Sequence, residues 1–123
     1  MKPTKLHEMS VAELVARFEQ IAMEQDRALL MDETAKYNRL YDQMDAVKKE
    51  LKSRPGDQRR ALLTLYDHPN IHVQLKAAEG TLAVVPEAAR GLLQSIRDSR
   101  EYPQAADAGM TLWDLDRGIF KPT

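Results

Sequence analysis

His68 and His72 stand four residues apart, a spacing at which two imidazoles on one helix face can share a metal ion. Pro69-Asn70 falls between them, and a proline followed by a capping residue breaks a helix at that point. A third ligand would have to come from Asp67 or Glu79. The pair therefore reads as turn and surface histidines, and no metal is expected. His7-Glu8 lacks the second histidine of H-E-x-x-H, which removes the zinc-protease reading. Asp114 and Asp116 diverge by roughly 200° around a helix and cannot do acid–base work together. Asp42 and Asp45 share a face, but they flank Met44 on a charged helix. Ser53, Ser95 and Ser99 have no G-x-S-x-G context, and no glycine-rich phosphate loop occurs. The chain has no cysteine, so thiol catalysis, disulfides, iron–sulfur clusters and Cys-type zinc sites fall together. These residues predict no enzyme and no cofactor. A catalytic site assembled across the fold is kept as a second alternative.

Charge gives the next candidate. The net charge is −1, so no global field draws nucleic acid or membrane to the chain. Its distribution is uneven: residues 8–33 hold seven acidic and two basic side chains, and residues 34–60 hold eight basic and four acidic. Lys48, Lys52, Arg59 and Arg60, with Lys49 and Arg54, form the best anion-binding cluster. Binding of a polyanion there would weaken steeply with salt. Glu50, Asp57, the overall charge and the lack of interleaved aromatics speak against nucleic acid, and a helix C-terminus accounts for much of the cluster. Nucleic-acid binding is the first alternative.

The elements that would position these residues are helical. Hydrophobic residues make up 43% of the 123 positions and charged residues 30%, which places the chain among globular domains. Only five glycines and six prolines interrupt long runs of helix formers. Ser10 and Glu13 have the spacing of a capping box, with Met9 and Leu14 at the staple positions. A stripe of Val11, Leu14, Val15, Phe18, Ile21, Ala22 and Leu29 follows. A second helix from Asp32 or Glu33 carries Tyr37, Leu40, Tyr41, Met44, Val47 and Leu51 and stops at Pro55-Gly56. Residues 10–54 thus predict an antiparallel pair. Asp57 caps a short third helix with Ala61, Leu62, Leu65 and Tyr66 facing inward. Asn70 caps a fourth, carrying Val73, Ala77, Ala78, Leu82 and Val85. Pro86 opens a fifth, buried through Leu92, Leu93 and Ile96. Pro103 opens a sixth, with Ala106, Met110, Leu112 and Trp113 inward and Gly118 as its C′ residue. Tyr102 is expected at an exposed turn. Residues 57–85 and 86–118 form two pairs within one domain. No run approaches the roughly 20 apolar residues of a membrane span. The basic stretch 1–10 lacks the apolar region of a secretory leader, so a cytoplasmic location is expected.

A shift of 30 residues lays Arg60-Ala61-Leu62-Leu63 over Arg90-Gly91-Leu92-Leu93, Gln74 over Gln104, Ala78 over Ala108, and Thr81-Leu82 over Thr111-Leu112. Small and leucine positions recur at the seam where one helix pair would nest on the next. The stretch Leu62 to Leu82 resembles a HEAT repeat, with Asp67, Val73, Ala77 and Ala78 at its motif positions and Gln74 where the motif has arginine. The chain also resembles a bacterial family known as domain of unknown function 2019. That resemblance rests on the run from Asp32 to Leu40, the turn Asp67-His68-Pro69-Asn70 and the run from Asp107 to Trp113. It implies an all-α superhelix of HEAT or armadillo type and no catalytic residues. Helical repeats meet partners with their row of second helices, here 70–85 and 104–117. His72, Lys76, Glu79, Asp107 and Asp114 are the expected contacts to a protein or peptide partner, or to a second copy of the chain. By analogy of fold alone, an immunity-type protein that neutralises a toxin is one version of that role.

Overall fold

Twenty-residue stripes, a capping box and a heptad produce what their spacing requires. In the computed structural model, residues 5–123 are described; residues 1–4 of the basic N-terminal stretch lie outside them. The described residues form five α-helices and two 3-10 helices, and no strand. They divide into two compact units, one running to Ala61 and the other from Leu62.

In the first unit, α1 (Val11–Leu30) packs along α2 (Thr34–Ser53). The capping box forms as read: Glu13 N–H donates to Ser10 Oγ at 3.1 Å, and Ser10 N–H donates to Glu13 Oε1 at 3.0 Å. α1 buries Leu14, Phe18, Ile21, Ala22, Gln25 and Ala28. α2 buries Leu40, Met44, Val47 and Leu51, spaced four, three and four. Burying each large apolar side chain contributes about 1.5–3 kcal/mol. Leu29 and Tyr41, expected in the stripes, are 40% and 53% exposed; each stands one position past a buried residue, Ala28 and Leu40, at the rim of its seam.

The join between these helices is a Schellman motif with aspartate where glycine is usual. Asp32 has φ 56°, its N–H donates to the Leu29 carbonyl, and Glu33 N–H donates to the Ala28 carbonyl. Arg54 closes the other end. Its Nη2 donates to the carbonyls of Leu6 (3.1 Å) and Met9 (2.7 Å), and its Nε donates to Glu50 Oε2 at 2.6 Å. This ties the 3-10 helix Leu6–Glu8 to the end of α2. Gly56, at φ 79°, occupies the left-handed position of the following turn, where Asp57 N–H reaches back to the Arg54 carbonyl at 2.9 Å.

The element after Asp57 forms as a 3-10 helix, Gln58–Leu65, and the boundary between the units falls within it. Leu62 and Leu65 are buried as expected; Ala61 and Tyr66 are half-buried. In the second unit, α3 (Ile71–Thr81), α4 (Pro86–Ser99) and α5 (Gln104–Asp116) pack on one another. Asn70 caps α3, accepting from the N–H groups of His72 and Val73. Pro86 opens α4. Pro103 is the N-cap of α5, one position earlier than expected. The core joins Leu75, Ala78, Leu82, Ala89, Leu93, Ile96, Ala108 and Leu112. Arg90 pairs with Asp116 across α4 and α5. Gly118, at φ 70°, ends α5 in a second Schellman motif: it donates to the Leu115 carbonyl at 3.2 Å, and Ile119 donates to the Asp114 carbonyl at 2.9 Å.

Part of the 30-residue correspondence is seen in the second helices, although Gln74 is half-buried where Gln104 is buried. Ala78 and Ala108 are fully buried, Leu82 and Leu112 nearly so. Thr81 Oγ1 donates to the Ala77 carbonyl at 2.9 Å, and Thr111 Oγ1 donates to the Asp107 carbonyl at 3.1 Å. It fails in the first helices, where Leu63 is exposed and Leu93 buried. A 3-10 turn of three residues rotates side chains differently from an α-turn of 3.6, so equal spacing in sequence does not give equal faces.

Candidate functional site

α3 is polar on the side that meets α5. His72 is 2% exposed, and its Nδ1 lies 3.2 Å from Gln104 Nε2. One turn on, Lys76 is 8% exposed, with its Nζ 3.4 Å from Glu79 Oε1. Thr111 Oγ1 lies 3.1 Å from Glu79 Oε2. Burial pushes the Glu79 carboxyl above its ordinary value; the Lys76 ammonium opposes this and the Asp107 charge adds to it. The row expected to face a partner is thus largely internal. His72 and Lys76 bind neighbours within the unit, Glu79 is half-covered, and Asp107 and Asp114 retain solvent contact. The sequence hides this because a polar α3 face buried against α5 has the same spacing as a solvated one.

The outward face of α5 belongs to other residues. Met110 is 59% and Trp113 48% exposed, correcting the expectation that both face the core. Ala106 is exposed as well; the buried side is Gln104, Ala105, Ala108 and Leu112. The Arg117 guanidinium lies 4.1 Å from the centre of the Trp113 ring, a cation–π contact. Tyr102, Ile119 and Phe120, near the two ends of the helix, are exposed as well. The signal was present in the sequence: Ala106, Met110, Trp113 and Arg117 recur at four, three and four, one stripe beside the stripe that is buried.

The basic segment is largely occupied. Arg59 forms a fork on Asp57, Nε to Oδ1 at 2.9 Å and Nη2 to Oδ2 at 2.6 Å. That hydrogen bonding holds the Asp57 carboxyl below its ordinary value. Lys49 pairs with Asp45 at 2.9 Å. Lys52 and Arg60 are exposed and Lys48 half-buried.

The remaining candidates for chemistry have structural work. His68 Nδ1 accepts from Asn70 N–H at 3.0 Å, and the His68 carbonyl accepts from Gln74 Nε2 at 2.6 Å. Gln74, standing at the arginine position of the HEAT motif, thereby closes the turn before its own helix. Ser99 Oγ donates to the Ile96 carbonyl and Ser53 Oγ to the Glu50 carbonyl. Among the described residues, no group of three or more His, Asp or Glu is arranged to hold a metal ion. No helix among them is long and apolar enough to cross a membrane.

Fold and surface together define a small all-α protein made of packed helix pairs. The chain belongs to the family described as domain of unknown function (DUF2019), which matches residues 12–116. It is similar to the protein RPA1889 from Rhodopseudomonas palustris CGA009, known from a crystal structure. The two are 49% identical with a TM-score of 0.95, over 98% of this chain and 100% of that one. No curated protein matches the chain.

Proposed function

We propose that this chain is a non-catalytic protein-interaction module whose contact surface is the outward face of α5. One observation carries the reading: Met110 and Trp113, with Arg117 stacked on the ring, stand exposed on the last helix. Large aromatic and arginine side chains are the groups that concentrate binding energy at protein interfaces. Exposed apolar patches rimmed by polar residues are often interaction sites. A non-catalytic role is supported by His72, an expected contact on α3, being buried against Gln104. The HEAT-like reading of the chain, with its second helices as the binding row, fits the same surface through Asp107 and Asp114, which border the apolar stripe.

The polyanion reading has less behind it, because Arg59, Lys49 and Arg54 already pair with carboxylates. The test is affinity capture from native lysate with the wild-type protein, Trp113→Glu and Met110→Glu, with Tyr41→Glu as an exposed control. A stoichiometric protein retained by wild type and Tyr41→Glu, and reduced at least tenfold by the α5 variants, is the expected result. A partner retained equally by all four would place binding elsewhere.

A further inference from the structure

We infer that the cavity between the start of α3 and the end of α4 takes a primary alkylammonium group. The cavity has a volume of about 290 Å³ and is lined only by residues of the second unit. That is small for a ligand site and suits one group the size of a lysine side chain. The inference is independent of the α5 face and of whatever docks there.

The lining is apolar in one part and polar in another. Ile96 is buried and Ile71 half-buried, and with Pro69 they supply apolar surface for an alkyl stem. Gln74, Ser95, Ser99 and Glu101 supply the polar part. Their existing bonds leave acceptors over. Ser99 Oγ donates its one hydrogen to the Ile96 carbonyl at 2.6 Å and accepts from Glu101 N–H at 3.2 Å, so a lone pair remains. Gln74 Nε2 donates to the His68 carbonyl at 2.6 Å, and Gln74 Oε1 has no hydrogen bond among the described residues. The Glu101 carboxylate has no ion pair among them either. An ammonium head brings three donors and no acceptor, and its stem packs on apolar surface while the head reaches polar groups. A guanidinium, a flat fork suited to one carboxylate met edge-on, matches acceptors scattered over two helices and a turn less well.

Charge favours a cation over an anion. The N-terminus of α3 would attract an anion, but Asn70 Oδ1 already accepts from the N–H groups of His72 and Val73, and the Asn70 carbonyl from that of Gln74. The last turn of α4 presents the negative end of its dipole, and Glu101 follows it. The nearest arginines in the chain do not line the cavity: Arg97 pairs with Asp98 at 3.1 Å, and Arg100 is the exposed C-cap.

The experiment is a titration of the isotope-labelled full chain with n-butylamine, at constant neutral pH and ionic strength, followed through the amide shifts in heteronuclear NMR. Saturable shifts are expected at Ile71, Gln74, Ser99 and Glu101, with half-saturation in the millimolar range. n-Butyrate, with a similar stem and the opposite charge, should leave them unmoved. Glu101→Gln, at an exposed side chain, should weaken binding about fivefold, the size of one exposed charge pair. Glu87→Gln, at an exposed carboxylate near the other end of α4, should leave it unchanged. Unchanged shift dispersion in both variants confirms that they are folded. Nα-acetyl-lysine methylamide distinguishes the sources: binding at least as tight as that of butylamine assigns the cavity to a lysine side chain of a partner peptide, and weaker binding assigns it to a free alkylamine. The inference is overturned by a lack of saturation in the high-millimolar range, by equal binding of butyrate, or by affinity unchanged in Glu101→Gln. Equal shifts at Asp32 and Glu33, where two carboxylates line a smaller cavity at the α1–α2 join, would overturn it too.

Discussion

Glu79 and Lys76 show how a polar pair can be structural without being inert. Their side chains keep 21% and 9% of their exposure, so removing one partner leaves the other in a poorly solvated place. Lys76→Met should cost roughly 2 kcal/mol in urea unfolding, less than a fully buried pair because Glu79 still reaches water. Glu79 also has a definite sign of pH dependence. Its folded pKa lies above the ordinary value near 4.5, chiefly through burial. The folded state therefore holds the proton more tightly than the unfolded chain. The stability this group contributes is present below the ordinary value and is lost as pH rises through the raised one. The stability of wild type relative to Glu79→Gln should accordingly fall as pH rises across that window; a constant difference would refute the assignment. Asp57 has the opposite sign. Its pKa is lowered, chiefly by hydrogen bonding from Arg59, so its contribution is present above the ordinary carboxylate value and is lost as pH falls through the lowered one. Asp57→Asn, which tolerates the positive φ of 54°, should cost about 1 kcal/mol at neutral pH.

Caps and left-handed turns set where each helix begins and ends, and they were unequally legible. Ser10, Asn70, Pro86 and Gly118 announce their roles because the side chain or ring itself does the capping. Asp32 does not, because nothing about an aspartate marks it as the left-handed residue of a Schellman motif. Asp32→Gly should raise stability by about 0.5–1 kcal/mol, seen as a higher melting temperature, by relieving the side-chain clash at φ 56°. Asn70→Ala should lower it by about 1 kcal/mol through loss of two backbone contacts. The face of α5 departs from its apolar pattern for a related reason. Met110 and Trp113 are apolar, and apolar periodicity alone does not say which of two stripes on a helix has a neighbour. Ala105 and Ala108 win the buried side because small residues let α5 approach α4 closely, as the fully buried Ala89 does from the other helix.

At the scale of the chain, the all-helical class and the order of its elements followed from periodicity and punctuation. The division into units at Ala61 and Leu62 did not, since it falls inside a 3-10 helix with no linker composition to mark it. Each unit has its own apolar centre, represented by Phe18 in one and Leu93 in the other, both fully buried. Phe18→Ala should cost about 3–5 kcal/mol and Leu93→Ala about 2–5 kcal/mol, with hydrogen exchange accelerated most in the helices of the unit that carries the change. The interior position of Lys76 has a further consequence for surface chemistry. An amine-acylating reagent applied under native conditions should modify Lys49 and Lys52 readily and spare Lys76, whose ammonium is buried beside the Glu79 carboxylate. Any label found on Lys76 would then mark molecules in which the surroundings of α3 had opened, giving a covalent record of how often that happens.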